Sequence, residues 1–440
     1  MTTPIRDFVA RYAQSETSRL HMPGNKGRGD LGFAALDITE IAGADALYEA
    51  DGIIAESEKN ASALFGTRRT FYSTEGSSQC IRAMLHLALT NAPAGSRPVA
   101  LAGRNAHRAF LTAAALCGFE VEWLWPEADA HSVCSCPITP ERLRRALDAM
   151  ACAPFCVYVT SPDYLGGQLD LAALAEICRA RGIPLLVDNA HGAYLKFLPE
   201  REHPMELGAD MCCDSAHKTL SALTGGAYLH ISQTADPRYA AGAKQSLALF
   251  GSTSPSYLIL QSLDCLNAAL AADFPAKLAE CRSRLDELKA RLIARGFAVL
   301  PSDPLKLSLR TDGARISQRL REGGVECEFA DAGHVVLMFS PGNAPEDFER
   351  VSRALGEPVA FEAASEPVPP LPRALTIRQA MFAPGEVVPV ARAMGRICAA
   401  PAASCPPAVA ITVSGERITP EAARALQNSG IREIAVVADL

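Results

Sequence analysis

Apolar residues recur at helical spacing between 53 and 65 (Ile53, Ile54, Ala61, Leu64, Phe65), and Gly66 stands where such a helix would stop. A short strand over 70–73 follows, then a turn at 74–76 and a helix over 77–89. The alternation continues down the chain. Residues 98–102 and 154–160 read as apolar strands and 109–117 as a helix, and Asp170 caps a helix that runs to Arg181 and ends at Gly182. Two further apolar runs, 183–188 and 211–214, each close on an aspartate, and 225–231 reads as a returning strand. Unbroken apolar runs are what strands buried on both faces require. Strands alternating with helices from about 66 to 215 therefore predict an α/β fold whose mostly parallel sheet is covered on both sides.

Beyond this region the pattern changes. Residues 256–295 are largely helical, long enough to carry the chain into a second domain, and Gly296 is placed to end them. Short strands and helices over 297–300, 305–309, 314–321, 327–330, 334–339 and 345–355 predict a small α+β domain. Pro367, Pro369, Pro370 and Pro372 make 363–372 a semi-rigid linker. At the other end, Phe8 and Tyr12 suggest a short amphipathic helix, followed by a Gly-rich basic loop from His21 and acids at Asp37, Glu40 and Asp45. That segment carries too little apolar surface to fold alone and must lie on something else. The expected organisation is an N-terminal arm (1–60), a large domain with its connecting helix (61–295), a small α+β domain (296–362), and a linker with a C-terminal segment (363–440).

Composition narrows the function. The chain has 440 residues, 49% of them hydrophobic, which is enough for a large core. Its 42 Lys and Arg against 49 Asp and Glu give a net charge of −7, and no basic block with interleaved aromatics points to nucleic acid or an anionic membrane. Nothing at the start resembles a signal peptide, and no apolar run approaches the ~18 residues of a membrane span, so a cytoplasmic protein is expected. The 14 cysteines are scattered. Cys152, Cys156, Cys212 and Cys213 sit inside apolar runs and read as small buried hydrophobes in a reducing compartment. Cys134-Ser-Cys136 lacks a second ligand pair at zinc spacing, so no metal site is expected.

The candidate chemistry gathers at strand ends. The run 211–214 stops in a polar turn that presents Ser215, His217 and Lys218 together. A lone lysine in a loop is ordinarily a solvated surface residue, but burial and a neighbouring ring lower an amine's pKa and make Lys218 a candidate Schiff-base nucleophile. The run 183–188 delivers Asp188, followed by His191 and Gly192. The carboxyl end of a parallel strand is where open α/β sheets place ligands. An aspartate there can keep a pyridine nitrogen protonated, as pyridoxal phosphate requires. Gly76, Ser77 and Ser78 open the helix over 77–89, where free N–H groups and the positive helix end favour a phosphate, although a serine there is also an ordinary N-cap.

Six segments in order, His21-Met-Pro-Gly-Asn-Lys-Gly27, Asp37-Ile-Thr-Glu40, Gly103-Arg-Asn-Ala-His107-Arg, Asp188-Asn-Ala-His191-Gly192, Ser215-Ala-His-Lys218 and Ser252-Thr-Ser-Pro-Ser-Tyr257, resemble the ornithine/lysine/arginine decarboxylase family in its short form. The resemblance implies a fold-type I pyridoxal-phosphate-dependent, transferase-like large domain and decarboxylation of arginine, lysine or ornithine, in polyamine metabolism. It implies that Lys218 carries the cofactor and that Asp188 meets the pyridine nitrogen. His107 would stack on the ring, although the same residue could simply cap the helix over 109–117. Gly76, Ser77, Ser78, His191, Ser215 and His217 would complete the cofactor site, with no metal, and Lys218 or His217 would return a proton to Cα. The loop with Tyr164 would lie near the cofactor. Asp45, Glu40 and Glu416 are candidate acids for the substrate's distal cation, and a homodimer or higher homo-oligomer is implied. The C-terminal segment departs from the family's Tyr-Pro-Pro-Gly-Ile-Pro, reading Cys405-Pro-Pro-Ala-Val-Ala410. Transamination or elimination on the same fold remains an alternative, with Arg310 available as a carboxylate clamp, and a silent regulatory homologue is a third.

Overall fold

A computed structural model describes residues 1–93, 98–126, 132–360, 368–403 and 407–438. Cys405 and the first part of the Pro-rich linker, residues 361–367, lie outside the described residues. Among the described residues up to 231 there are seven strands: β1 (Arg69–Ser73), β2 (Val99–Gly103), β3 (Glu120–Leu124), β4 (Cys156–Thr160), β5 (Leu185–Asp188), β6 (Met211–Asp214) and β7 (Ala227–Ile231). The chain divides into two compact units, the first made of Met1–Pro93 and Cys178–Leu278, the second of Ala94–Ile177 and Ala279–Leu440.

In the first unit the strand order is β1-β7-β6-β5. β5 and β6 pair in parallel with Asp188 opposite Cys213, and the returning strand β7 runs antiparallel to both β6 and β1. All four residues of β5 and all four of β6 are buried, which is why their sequences are unbroken apolar runs. The helix predicted over 53–65 spans Ile53–Phe65, and Gly66 ends it at φ +67°, a left-handed conformation that favours glycine. The arm finds its support within this unit. The helix Pro4–Gln14 buries Ile5 and Val9, and its first exposed N–H groups, of Ile5 and Arg6, donate to Asp264 Oδ2 at 2.9 and 3.0 Å. A carboxylate from another helix thus serves as the N-terminal acceptor that Thr3 does not supply.

In the second unit β4-β2-β3 is an all-parallel set, so the mostly parallel sheet expected from the alternation is what is found. Four short strands, β8 (Ala298–Val299), β9 (Lys306–Arg310), β10 (Phe329–Ala330) and β11 (His334–Met338), form an antiparallel sheet in the order β10-β11-β9-β8, with helices Gly313–Glu322 and Pro345–Ala354. The C-terminal segment builds a core of its own: β12 (Gly385–Pro389) pairs with β13 (Glu433–Val437), and Val390, Ile411, Ile418, Leu426 and Val436 pack together.

Ala408 explains the departure noted in the sequence. It stands where the family pattern has glycine, and its φ is +57°. Its carbonyl accepts the N–H of Arg108 at 2.9 Å, so the segment's docking holds the conformation in place. A left-handed alanine is disfavoured by about 1–2 kcal/mol. Ala408→Gly is therefore expected to raise the unfolding free energy by about 1 kcal/mol after glycine's own entropic cost. Equilibrium urea unfolding reads this directly, and a lower midpoint would mean that the methyl group packs better than the strain costs.

Candidate active site

The polar turn that carries Lys218 is a single helical turn, Ala216–Thr219, with Ser215 at its N-cap position. The turn follows directly from β6, so the strand's register fixes where the lysine stands. Lys218 Nζ lies 2.8 Å from His191 Nε2 on the loop that follows β5. Ser215 Oγ donates to Ser77 Oγ at 2.8 Å, joining this turn to the start of the helix Gly76–Thr90. His217 Nδ1 donates to the Gly226 carbonyl at 3.0 Å, which places the ring proton on that nitrogen. A side-chain carbon built on Gly76 would stand 3.9 Å from the His217 ring, and Gly76 opens its helix at φ +71°. Ser78 is half-buried in the first turn of that helix. Asp188, 3% exposed, accepts the Ala190 N–H at 3.1 Å and lies 3.7 Å from the Cys213 sulfur. Lys218, His191, His217, Ser77, Ser215 and Asp188 thus come from three adjoining strand or helix ends of one unit.

Behind these ends is a cluster that sequence reasoning missed. Asp214 Oδ2 is 3.0 Å from His203 Nε2 and 3.1 Å from His230 Nε2, and Oδ1 accepts Asn189 Nδ2 at 2.6 Å. All four residues are fully buried. Burial alone would push the Asp214 carboxyl up, but the electrostatic attraction and hydrogen bonds of the His203 and His230 imidazoles outweigh it and hold the group well below the usual carboxylate range. Burial depresses the pKa of His230. Two histidines and a carboxylate with ligand atoms inside 4.8 Å could in principle hold a cation. His203 Nδ1, however, accepts the Met205 N–H at 3.3 Å, which puts the proton on Nε2 and leaves that nitrogen a donor to Asp214. His230 Nδ1 lies 2.8 Å from the Thr70 hydroxyl. The cluster is a hydrogen-bond network around a carboxylate.

The cysteines of β6 behave as expected of buried hydrophobes. Desolvation pushes the Cys212 and Cys213 thiols far up, and Cys80 up to about 12, so they remain protonated and unreactive.

His107 belongs to the second unit. Its Nδ1 accepts the Ala109 N–H at 3.1 Å and so caps the helix Arg108–Cys117, while its backbone bridges to Val409. In the same unit Arg104 donates to the carbonyls of Ala410 (2.8 Å) and Ile411 (3.1 Å) and to Glu416 Oε2 (3.2 Å). Glu416 also accepts the Val413 N–H at 2.7 Å and is 3% exposed. A buried carboxylate committed in this way is a poor candidate for the distal cation. Asp45 is similarly engaged, accepting N–H groups of Ala46, Asp51, Gly52 and Ile54 at 2.9–3.2 Å at the start of the helix Ile53–Phe65. Glu40 is exposed. The Tyr164 hydroxyl donates to Glu328.

The donor set fits pyridoxal phosphate: an amine at one strand end, a buried carboxylate at the next, and hydroxyls at the positive start of a 15-residue helix. Such a parallel sheet with this constellation defines a fold-type I pyridoxal-phosphate-dependent enzyme. Comparison with known proteins supports the class. The E. coli constitutive lysine decarboxylase shares the fold, with a TM-score of 0.79 at 16% identity, covering 99% of this chain and 82% of that one. The family model for the Orn/Lys/Arg decarboxylase major domain matches residues 3–307, and the chain belongs to that family. It is a pyridoxal-phosphate-dependent amino acid decarboxylase. It is 31% identical to the arginine decarboxylase of Bacillus subtilis, over 95% of this chain and 92% of the relative. Identity to the arginine decarboxylase of Halalkalibacterium halodurans is 29%, over 95% and 91%. Among the described residues no helix is long and apolar enough to cross a membrane.

Proposed function

We propose that the enzyme decarboxylates a basic amino acid, arginine first, releasing carbon dioxide and the corresponding amine. The observation that carries this reading is the placement of Asp188 at the carboxyl end of β5 and of Lys218 just beyond that of β6, two paired parallel strands. Bound pyridoxal phosphate supplies an electron sink for the bond between Cα and the leaving carboxylate. Lys218 would hold the cofactor through Nζ, and His191, 2.8 Å away, accepts a proton from that amine. Asp188 would hold the proton on the pyridine nitrogen. Gly76, Ser77, Ser78, Ser215 and His217 would hold the phosphate and so fix the orientation of the ring. Lys218 or His217 would deliver the proton to Cα. The stacking role of His107 rests on the family resemblance alone. Arginine is favoured by the names of the relatives that match nearly the whole chain. A homodimer in the cytoplasm, with products entering polyamine metabolism, completes the proposal, and the exposed Leu20, Leu31 and Phe33 of the arm support a second copy of the chain covering them.

The test is incubation with arginine, lysine, ornithine and neutral amino acids of similar length, measuring carbon dioxide and amine against keto acid. Carbon dioxide with agmatine or a diamine is expected. Neutral amino acids should react at least about tenfold more slowly, because they leave the acid that meets the distal cation without a partner. A neutral amino acid as best substrate would overturn the assignment of a basic one.

A further inference from the structure

The loops that carry Asp188 and Lys218 are tied together twice. At the tip, Lys218 Nζ meets His191 Nε2 at 2.8 Å. At the base, Asn189 Nδ2 donates to Asp214 Oδ1 at 2.6 Å. Asn189 directly follows Asp188, and Asp214 directly precedes the Ser215 that starts the lysine's helical turn. The β-ladder makes its last bond here, from the Asn189 N–H to the Cys213 carbonyl at 3.0 Å. Past this point the backbones no longer hold each other, and side chains must set their relation.

Asp214 does so with a charge. Burying a carboxylate costs several kcal/mol unless donors surround it, and here His203, His230 and Asn189 supply three. Hydrogen bonds to an ionised acceptor are roughly twice as strong as neutral ones. His230 is held in turn by Thr70, and Thr70 by Thr67 at 2.8 Å, so the clamp is anchored in β1 and the turn before it. Phe65 lies against the ring of His230, with centroids 4.4 Å apart, and keeps water away. Among the described residues Asn189 Oδ1 has no hydrogen-bond partner, so the carboxylate alone decides which way that amide points.

We propose that Asp214, clamped by His203, His230 and Asn189, is a positioning residue for the decarboxylation: it locks the loops after β5 and β6 in the relation at which Asp188 and Lys218 serve one cofactor. This inference rests on the reading of Lys218 and Asp188 given above.

Asp214→Asn tests it with little change of shape. The asparagine oxygen can still accept both imidazole N–H groups, and its NH2 meets Asn189 if that amide turns over and presents its unpartnered oxygen. The variant should fold, by far-ultraviolet circular dichroism, and retain bound cofactor. Its kcat should fall about tenfold with KM within about twofold, since a small displacement of the reacting groups acts on the chemical step. The visible circular dichroism of the bound cofactor, which reports ring orientation, should weaken by about half. Asn189→Ala removes the tie while leaving the Asp214 bonds to both imidazoles, and it carries the test if Asp214→Asn does not fold. The double variant should lose no more than the worse single one. Variants that lose thermal stability but keep kcat and dichroism would reduce Asp214 to a structural residue and overturn the proposal, and so would stoichiometric zinc that disappears in His203→Ala. Lys218→Ala separates the two levels. A borohydride-reducible adduct that survives there removes the site assignment itself, whereas an adduct lost there with dichroism unchanged in Asp214→Asn removes only this inference.

Discussion

The Lys218→Ala variant is expected to lose covalently held cofactor and at least about three orders of magnitude in kcat/KM. Alanine suits the helical turn Ala216–Thr219, so the fold should survive and the loss fall on chemistry. Among the described residues, two other lysines of this unit are held in ion pairs. Within the same unit Lys196 is paired with Glu206 at 2.9 Å and Lys244 with Glu58 at 2.5 Å. The hydroxyl groups of Ser77 and Ser215 remain, so the variant should still bind the cofactor weakly and reversibly. Borohydride reduction followed by peptide mass mapping checks the assignment. A reduced adduct on any other lysine, at wild-type yield, would show that the reactive amine has been misplaced.

Asp188→Asn should keep its cofactor and lose about a hundredfold or more in kcat, with KM within a few fold. The substitution preserves shape: an amide oxygen can still accept the Ala190 N–H that Asp188 Oδ1 accepts at 3.1 Å. What disappears is the negative charge that favours a proton on the pyridine nitrogen. Because that proton matters most when electrons enter the ring, the loss should appear in the chemical step rather than in substrate binding. Steady-state kinetics with single-turnover measurement of carbon dioxide separates the two. Turnover close to that of the native enzyme would leave Asp188 without the role proposed for it.

Much of this was legible from local pattern, because the features that carry it are local. Gly66, Gly182 and Gly296 were read as helix stops, and all three have left-handed backbones. Asp188 and Asp214 close the strands whose apolar runs announce burial, and Lys218 follows from the second. The rest depended on distance along the chain. Asp214 and His230, 16 residues apart, meet because β6 and β7 are antiparallel neighbours, and His203, 11 residues before Asp214, joins them from the N-cap of the short helix Pro204–Leu207. Glu416, read as a possible partner for substrate, is 312 residues from the Arg104 that engages it. The stretch 118–153 went unassigned for physical reasons. β3 ends its strand order, with Glu120 and Glu122 between apolar residues, and so lacks the unbroken run of an inner strand. The helix Pro140–Ala149 buries only Leu143 and Leu147, one turn apart behind the Thr139 cap.

The interleaving of the two units has a consequence for how the protein is made. β1 pairs with β7, from Arg69 opposite Ile231 to Ser73 opposite Ala227. A ribosome adding ~5–20 residues per second delivers β7 roughly 8–30 seconds after β1. During that interval Phe71 and Tyr72, buried in the finished protein, stand on a strand with no neighbour, an invitation to pairing with another nascent chain. Meanwhile β2, β3 and β4 emerge in succession, all within Ala94–Ile177. β1 is thus paired only after β2, β3 and β4 have been made, and it waits for its neighbour until translation has passed Lys218.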